Sequence, residues 1–217
     1  MASPIPRVDC RPFGAASSST PAELRRSIEA LRSAASTHGF FYAMNTGWTA
    51  GDRAEALKET ARVFALPASE KHLLSVRRDP AKPGLTRGYI AIGGESGSAA
   101  LECKEAYSYG FEERTSAPGA LSALEGPNVW PPKELVGAAF RATMVHTFAA
   151  MCRVSALVAR GLSLALGEKA TFLKEACGER GDNISLMRLF HYLPYEDSAC
   201  VAFSRPVAAT ISSALLC

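Results

Sequence analysis

The sequence predicts an α+β chain, helices outweighing strands, that runs as one continuous unit to Pro194 without an internal repeat or a strong linker. Three observations predict it. Two stretches with apolar residues at helical spacing follow one another before residue 66. A proline-free run from Lys133 to Leu166 repeats apolar residues every three or four positions. Between and after them stand short aromatic or β-branched segments bounded by glycine and proline, the pattern of strands. At 217 residues the chain can bury one large core or two small ones.

The elements follow in order. Residues 1–10, with Pro4, Ile5, Pro6 and Val8, suit an extended opening strand. Thr20-Pro21-Ala22-Glu23 joins a capping box to proline at the first helical position, and Leu24, Ile28, Leu31 and Ala35 then form a buried face. Gly39 ends this helix, and Phe40–Asn45 reads as a buried strand. A second helix is expected from about Thr49 to Ala65, with Leu57, Ala61 and Phe64 on one side. Pro67 closes it, and Ser69–Leu74 adds a turn. Asp79–Arg87 reads as an exposed loop. Arg87–Ile92 and Lys104–Phe111 read as strands separated by the Gly- and Ser-rich run Gly93–Ser98, and Glu112–Pro132 as a long irregular connection. Lys133–Leu166 is expected as a single helix of roughly 50 Å, bent near Gly161 and capped by Gly167. A short helix (Ala170–Cys177) and a loop (Gly178–Asn183) lead to a strand, Ile184–Tyr192, expected to bury Ile184, Leu186, Leu189 and Tyr192.

Composition excludes several classes. With 47% hydrophobic and 21% charged residues and a formal charge of +3, the chain is an ordinary soluble one. Its lysines and arginines are scattered, which argues against a nucleic-acid partner. The apolar stretches Val154–Leu166 and Val207–Leu216 are too short or too interrupted to span a bilayer, so no membrane is expected. Cys10, Cys103, Cys152, Cys177, Cys200 and Cys217 form no CxxC pair, and Met1–Phe13 is no signal peptide. Both point to a reducing, cytoplasmic compartment, with Cys152 and Cys177 as small buried hydrophobes on helices.

Candidate chemistry is sparse. His38, at a helix end, suits the negative pole of the dipole. His72 lies in a charged turn and is expected in solvent, and His146, inside the long helix, in the core or an interface. His191 sits on the last strand beside Tyr192. No His-x-Asp or His-x-Glu occurs anywhere in the chain, whereas a facial non-haem iron site takes two imidazoles and a carboxylate. Gly93–Gly97 lacks both a GxSxG elbow and a phosphate loop, and reads as a hairpin or surface loop. Glu102, Glu105, Glu112 and Glu113 form a local acidic excess that could pair with Lys104 and Arg114, but their spacing singles out no catalytic pair. Arg-x-Ser appears at Arg25–Ser27 and Arg153–Ser155, both in helical segments. No nucleophile–base pair is visible.

The segments IPRVDC, LRSAASTHGFFYAMNTG, FALPASEK, RGY, KEAYSYGF, GPNVWPP and SLMRLFHYLPY nevertheless stand in a telling order. Together, over about residues 4–196, they resemble the N-terminal half of an Fe(II)/2-oxoglutarate-dependent dioxygenase of the isopenicillin N synthase-like group, which includes gibberellin and flavonoid oxygenases. The resemblance implies a distorted jelly roll, a double-stranded β-helix, with N-terminal helices packed outside it. It also implies iron held by His-x-Asp and a distal His, 2-oxoglutarate on that iron with an Arg-x-Ser on its far carboxylate, and oxidation of a small organic substrate.

The chain departs from the family after HYLPYED. There the family shows a segment resembling GAHTDYGLLTLL, and this chain reads SACVAFSRPVAATISSALLC, with no histidine. Residues 1–197 are therefore expected as the N-terminal region running into the first core strand, and 198–217 as a divergent tail, with most of the jelly roll missing. Of the family's site residues only Tyr192 carries over, as a contact to 2-oxoglutarate. The other reading of Tyr192 is a core strand residue, and Phe190 stands where several relatives place a polar cosubstrate contact. The resulting expectation is a truncated, inactive homologue that binds neither Fe(II) nor 2-oxoglutarate. The alternative is a non-catalytic binding or regulatory protein that pairs with a full-length relative.

Overall fold

Thr20 starts the first long helix through a reciprocal cap. Its Oγ1 accepts from the Glu23 backbone N–H, and the Glu23 carboxylate accepts from the Thr20 N–H at 2.7 Å. In the computed structural model, which describes residues 5–75, 87–94, 103–111, 127–177, 184–193 and 210–216, this helix is α1 (Pro21–Thr37). It follows strand β1 (Arg7–Asp9) and a 3-10 turn at Arg11–Phe13. Ser27, Leu31 and Ala34 form its buried stripe, with Leu24 and Ile28 packed beside them. Ala35, expected inside, is exposed, because the stripe passes through its neighbour.

The chain forms two compact units, Met1–Thr49 with Ala149–Asn183 and Cys217, and Ala50–Phe148 with Ile184–Leu216. In the first, β1 pairs in parallel with β2 (Tyr42–Met44). The expected strand Phe40–Asn45 is thus shorter, and it is not buried: Phe40 and Tyr42 are 57% and 56% exposed. Strand alternation sends Phe41 and Ala43 the other way, against a core of Val8, Cys10, Phe13, Leu31 and Ala34. Asn45 then turns the chain in the left-handed region (φ 56°), its amide donating to Asp9 Oδ1 at 3.0 Å.

The expected single helix from 133 to 166 is two, α4 (Lys133–Val136) and α5 (Ala139–Ala165). Gly137 separates them at φ 78°, a backbone that breaks the helix without needing proline, so α5 is only about 40 Å long. In the first unit a Cβ at Gly161 would lie 2.7 Å from the Phe13 ring and 2.8 Å from Leu31, so glycine is what allows α5 to approach that closely. Its end is a Schellman cap: Gly167 has φ 85°, and the Gly167 and Glu168 N–H groups donate to Leu164 and Ser163 carbonyls. By length and composition α5 is apolar enough to cross a membrane, a test that a buried core helix passes equally. It carries Arg141, Arg153 and Arg160, and buries Phe140 and Met144 fully. The short helix α6 (Phe172–Ala176) completes this unit.

The second unit holds α2 (Ala50–Phe64), α3 (Ala68–Leu73) and an antiparallel sheet of β3 (Gly88–Ile90), β4 (Lys104–Gly110), β5 (Ile184–Tyr192) and β6 (Thr210–Leu216), in that order. On α2 the buried residues are Ala56, Glu59, Thr60, Val63 and Phe64. Leu57 is only half-buried and Ala61 is exposed, against expectation, because the stripe lies one position away. Strand β6 was not expected at all, and pairs with β5 from Ile184–Leu216 to Phe190–Thr210. Tyr107, Tyr109, Trp130, Phe140 and Phe148 pack ring on ring beneath β4. The expected loops at 79–86, 95–98, 112–126 and 178–183 lie outside the described residues, as do 194–209. Arg87, expected at the end of an exposed loop, is buried.

Candidate functional site

Residues paired across an antiparallel ladder share a face, so the register of β3, β4 and β5 sorts their side chains into two sets. One face holds Tyr89, Glu105, Tyr107, Tyr109, Met187, Leu189 and His191. The other holds Ile90, Lys104, Ala106, Ser108, Leu186, Arg188, Phe190 and Tyr192, with Gly88 and Gly110.

The first face is closed around a carboxylate. Glu105 is 2% exposed, and both of its oxygens are occupied. Oε2 accepts from Lys71 Nζ at 2.7 Å and from the Tyr89 hydroxyl at 2.5 Å, and Oε1 lies 2.8 Å from His191 Nδ1. Lys71 also donates to the Phe64 carbonyl at 3.1 Å, and the His191 ring packs 5.4 Å from that of Phe64. Burial raises the Glu105 pKa, but hydrogen bonds from His191, Lys71 and Tyr89 outweigh it and hold the carboxyl below its ordinary range. Burial, then the hydrogen bond to Glu105, pushes the Tyr89 phenol up. A carboxylate so engaged, with three of its roughly four lone-pair sites taken, is a tie between α3, β3, β4 and β5.

A second tie lies at the far end of β4. Asn128 Oδ1 accepts from the Gly110 N–H and from Arg87 Nη1, each at 2.9 Å, and its amide donates to the Gly110 carbonyl at 2.9 Å. The Arg87 guanidinium covers the place where a Gly110 Cβ would stand. The Tyr107 hydroxyl donates to the Val129 carbonyl.

The second face is open at its Lys104–Tyr192 end, whereas Ala106, Ser108 and Leu186 on it are buried. Tyr192 is 37% exposed, so it is not a core residue; it stands opposite Lys104 at the end of the ladder. Leu186 and Leu189 are both buried, as expected, and lie on opposite faces. Lys104 Nζ lies 4.8 Å above the Phe190 ring, which is 6.1 Å from that of Tyr192. Ser108, between Gly88 and Arg188 in the ladder, is 0% exposed, and its Oγ has no hydrogen-bond partner. Leaving a buried hydroxyl so costs about 1–3 kcal/mol.

The remaining histidines stay apart. His38 caps α1 and meets Phe40 edge-on, and His72 is exposed beside Tyr89. His146, expected in the core or an interface, is on the surface rather than in the core, 3.5 Å from Asp52. The buried thiol is Cys10, pushed up to about 11 by burial and the Asp9 charge, whereas Cys152 and Cys177 are half-buried. Glu102, Glu112, Glu113 and Arg114 lie outside the described residues, and Glu105 points away from Lys104's face. Among the described residues no three His, Cys, Asp or Glu side chains gather to hold a metal. These residues therefore do not fit a facial iron site: the His–carboxylate contact on their sheet uses a carboxylate already bound by Lys71 and Tyr89. Neither the Glu105 tie nor the Ser108–Arg188 pair was read from the sequence, where only the alternation within KEAYSYG hints at two faces.

Residues 5–133 match the family described as the N-terminal region of a non-haem dioxygenase in morphine synthesis. The 2-oxoglutarate-dependent dioxygenase tropC of Talaromyces stipitatus is 30% identical over 200 residues, 89% of this chain and 59% of that protein. Isopenicillin N synthase of Streptomyces clavuligerus is 29% identical over 88% of this chain and 55% of its own length. The chain thus spans little more than half of these relatives. Among solved structures, a full-length Neurospora crassa protein in complex with alpha-KG and 5-formyluracil superposes with a TM-score of 0.65 at 25% identity, over 87% of this chain and 52% of its own. A putative 2OG-Fe(II) oxygenase family protein from Caulobacter crescentus, 22% identical, shares the fold with a TM-score of 0.70 over 93% of this chain and 60% of its own. The sheet of the second unit is accordingly part of a jelly roll, with the α+β architecture that the motifs imply.

Proposed function

From the premise that the chain belongs to the Fe(II)/2-oxoglutarate-dependent dioxygenase family, isopenicillin N synthase-like group, we propose that its 217 residues supply the helical layer and first sheet strands of an oxygenase of a small organic substrate, and by themselves are inactive. On this reading residues 1–197 are the family's N-terminal region and 198–217 a divergent tail. The observation that carries it is Glu105. Among the described residues it is the carboxylate that meets a histidine on the sheet, and both its oxygens are occupied. No His-x-Asp or His-x-Glu exists in the sequence to replace it.

The family's iron supplies the oxidant when bound; what this chain contributes is the open sheet face. Tyr192, exposed beside Lys104, offers a hydroxyl for 2-oxoglutarate within a complete site. Phe190 adds an apolar wall where a polar contact would tighten cosubstrate binding. Cys10, Cys103, Cys152 and Cys177, thiols rather than disulfides, support a cytoplasmic location.

Anaerobic equilibrium dialysis with Fe(II), followed by a 2-oxoglutarate decarboxylation assay, tests the proposal. The purified chain should retain no stoichiometric iron and release no 2-oxoglutarate-dependent CO₂. Stoichiometric iron together with such release would overturn it.

A further inference from the structure

We propose that the free edge of strand β1 pairs with the same edge of a second copy of this chain, joining two β1–β2 ribbons into one four-stranded sheet. The inference goes beyond the functional reading above and does not depend on whether the chain holds iron.

The free edge follows from the ladder. β1 pairs in parallel with β2, and among the described residues neither strand has a third neighbour. The Tyr42 N–H donates to the Pro6 carbonyl and the Cys10 N–H to the Met44 carbonyl, each at 2.8 Å. Residues 6, 8 and 10 therefore turn their backbone groups toward β2. Arg7 and Asp9 turn theirs away, and among the described residues those N–H and C=O groups meet no partner. The edge strand β3 of the other sheet is guarded by contrast, since its Tyr89 N–H donates to the Leu74 carbonyl at 2.8 Å. An unguarded edge is a template for another strand.

The side chains specify which strand fits. Val8 is buried in the core, so Arg7 and Asp9 stand together on the opposite, outer face. Arg7 is exposed and, among the described residues, meets no acid. Asp9 is tied on one side only. Its Oδ1 accepts from the Arg11 backbone N–H and the Asn45 amide, each at 3.0 Å, whereas Oδ2 accepts from Arg11 Nη2 at a longer 3.3 Å. A carboxylate accepts about four hydrogen bonds, so Oδ2 has room for a further cation.

Antiparallel pairing about a two-fold axis at Val8 sets Arg7 opposite Asp9 of the second copy, and Asp9 opposite its Arg7. The same register suits the backbone. Each Arg7–Asp9 pair exchanges both N–H···O bonds, and Val8 faces Val8 in the non-bonded position between them. The strand is thus complementary to itself in charge and in backbone. Tyr42, beside Arg7 in the ladder and 56% exposed, extends each row on the outer face. The far edge of β2 has no such code, because its outer-face residues Phe40, Tyr42 and Met44 are uncharged.

Three-residue strands make a small contact, so the dissociation constant should be on the order of 100 µM. Sedimentation velocity on the reduced 217-residue chain should show monomer at low concentration and dimer as the concentration rises. Amide exchange followed by NMR should slow with concentration at Arg7 and Asp9 and stay constant at Ala43, on the far edge of β2. Arg7→Glu opposes like charges and should weaken the dimer about thirtyfold, while Arg7→Lys should stay within about threefold. Neither should shift the melting temperature of the monomer, since Arg7 has no partner within the chain. Monomer at every concentration overturns the proposal, as do larger aggregates without a dimer. A dimer that Arg7→Glu leaves intact, or protection at Ala43 instead of Arg7 and Asp9, assigns the contact to another surface and also overturns it.

Discussion

Strands β4 and β5 present two chemically opposite faces from alternate residues of the same segments. On one, Glu105, Tyr107, Tyr109, Leu189 and His191 are packed and the charges are matched at 2.5–2.8 Å. On the other, Lys104, Arg188, Phe190 and Tyr192 are half-buried or exposed, and the Ser108 hydroxyl has no partner. The contrast shows how the family motifs divide. Lys71 of FALPASEK, Tyr89 of RGY, Glu105 of KEAYSYGF and His191 of SLMRLFHYLPY meet in one tie, and Arg87, Gly110 and Asn128 meet in another. Most motif residues therefore hold the sheet.

The contrast is most exposed to challenge at Glu105. Glu105→Ala leaves Lys71 with a buried, uncompensated charge and should cost about 3–5 kcal/mol of unfolding free energy in urea. A loss below about 1 kcal/mol would mean the closed face is solvated. Next in size is Gly110→Ala, whose methyl overlaps the Arg87 guanidinium and should cost about 1–3 kcal/mol. Retention of full stability would show that Arg87 moves aside freely.

Acid provides a third way in. The Glu105 carboxyl is held below its ordinary range in the folded chain, so the stability it adds is present above its unfolded pKa, about 4.3. That contribution is lost as pH falls from there through the lower folded value. Thermal melts should show this acid slope in the wild type and a flatter one in Glu105→Gln. Identical slopes would show that Glu105 contributes none of it. On the open face the effect should be small. Ser108→Ala deletes a hydroxyl that bonds to nothing and should stabilise the chain by about 1 kcal/mol.

Local features were legible in the sequence and distant ones were not. The Thr20–Glu23 cap and the Gly167 stop depend on residues within one or two turns, and the structure has both. Strand Ile184–Tyr192 has the expected limits, and its burial runs through Ser185, Leu186, Met187 and Leu189, while Tyr192 is exposed. The helices slipped by one position at Ala35 and Ala61, where the neighbouring Ala34 and Thr60 take the buried stripe. Gly137 was hidden within an apolar run, since a glycine announces a break only once its φ is known. The Glu105 tie joins residues up to 86 positions apart, which no window of periodicity spans.

A single denaturant series on Glu105→Ala and Ser108→Ala separates the two faces cleanly. A loss of several kcal/mol is expected for the first and none for the second, although the two residues are three positions apart on one strand. Equal losses would contradict the contrast between the two faces, because the Ser108 hydroxyl would then be held by hydrogen bonds as the Glu105 carboxylate is.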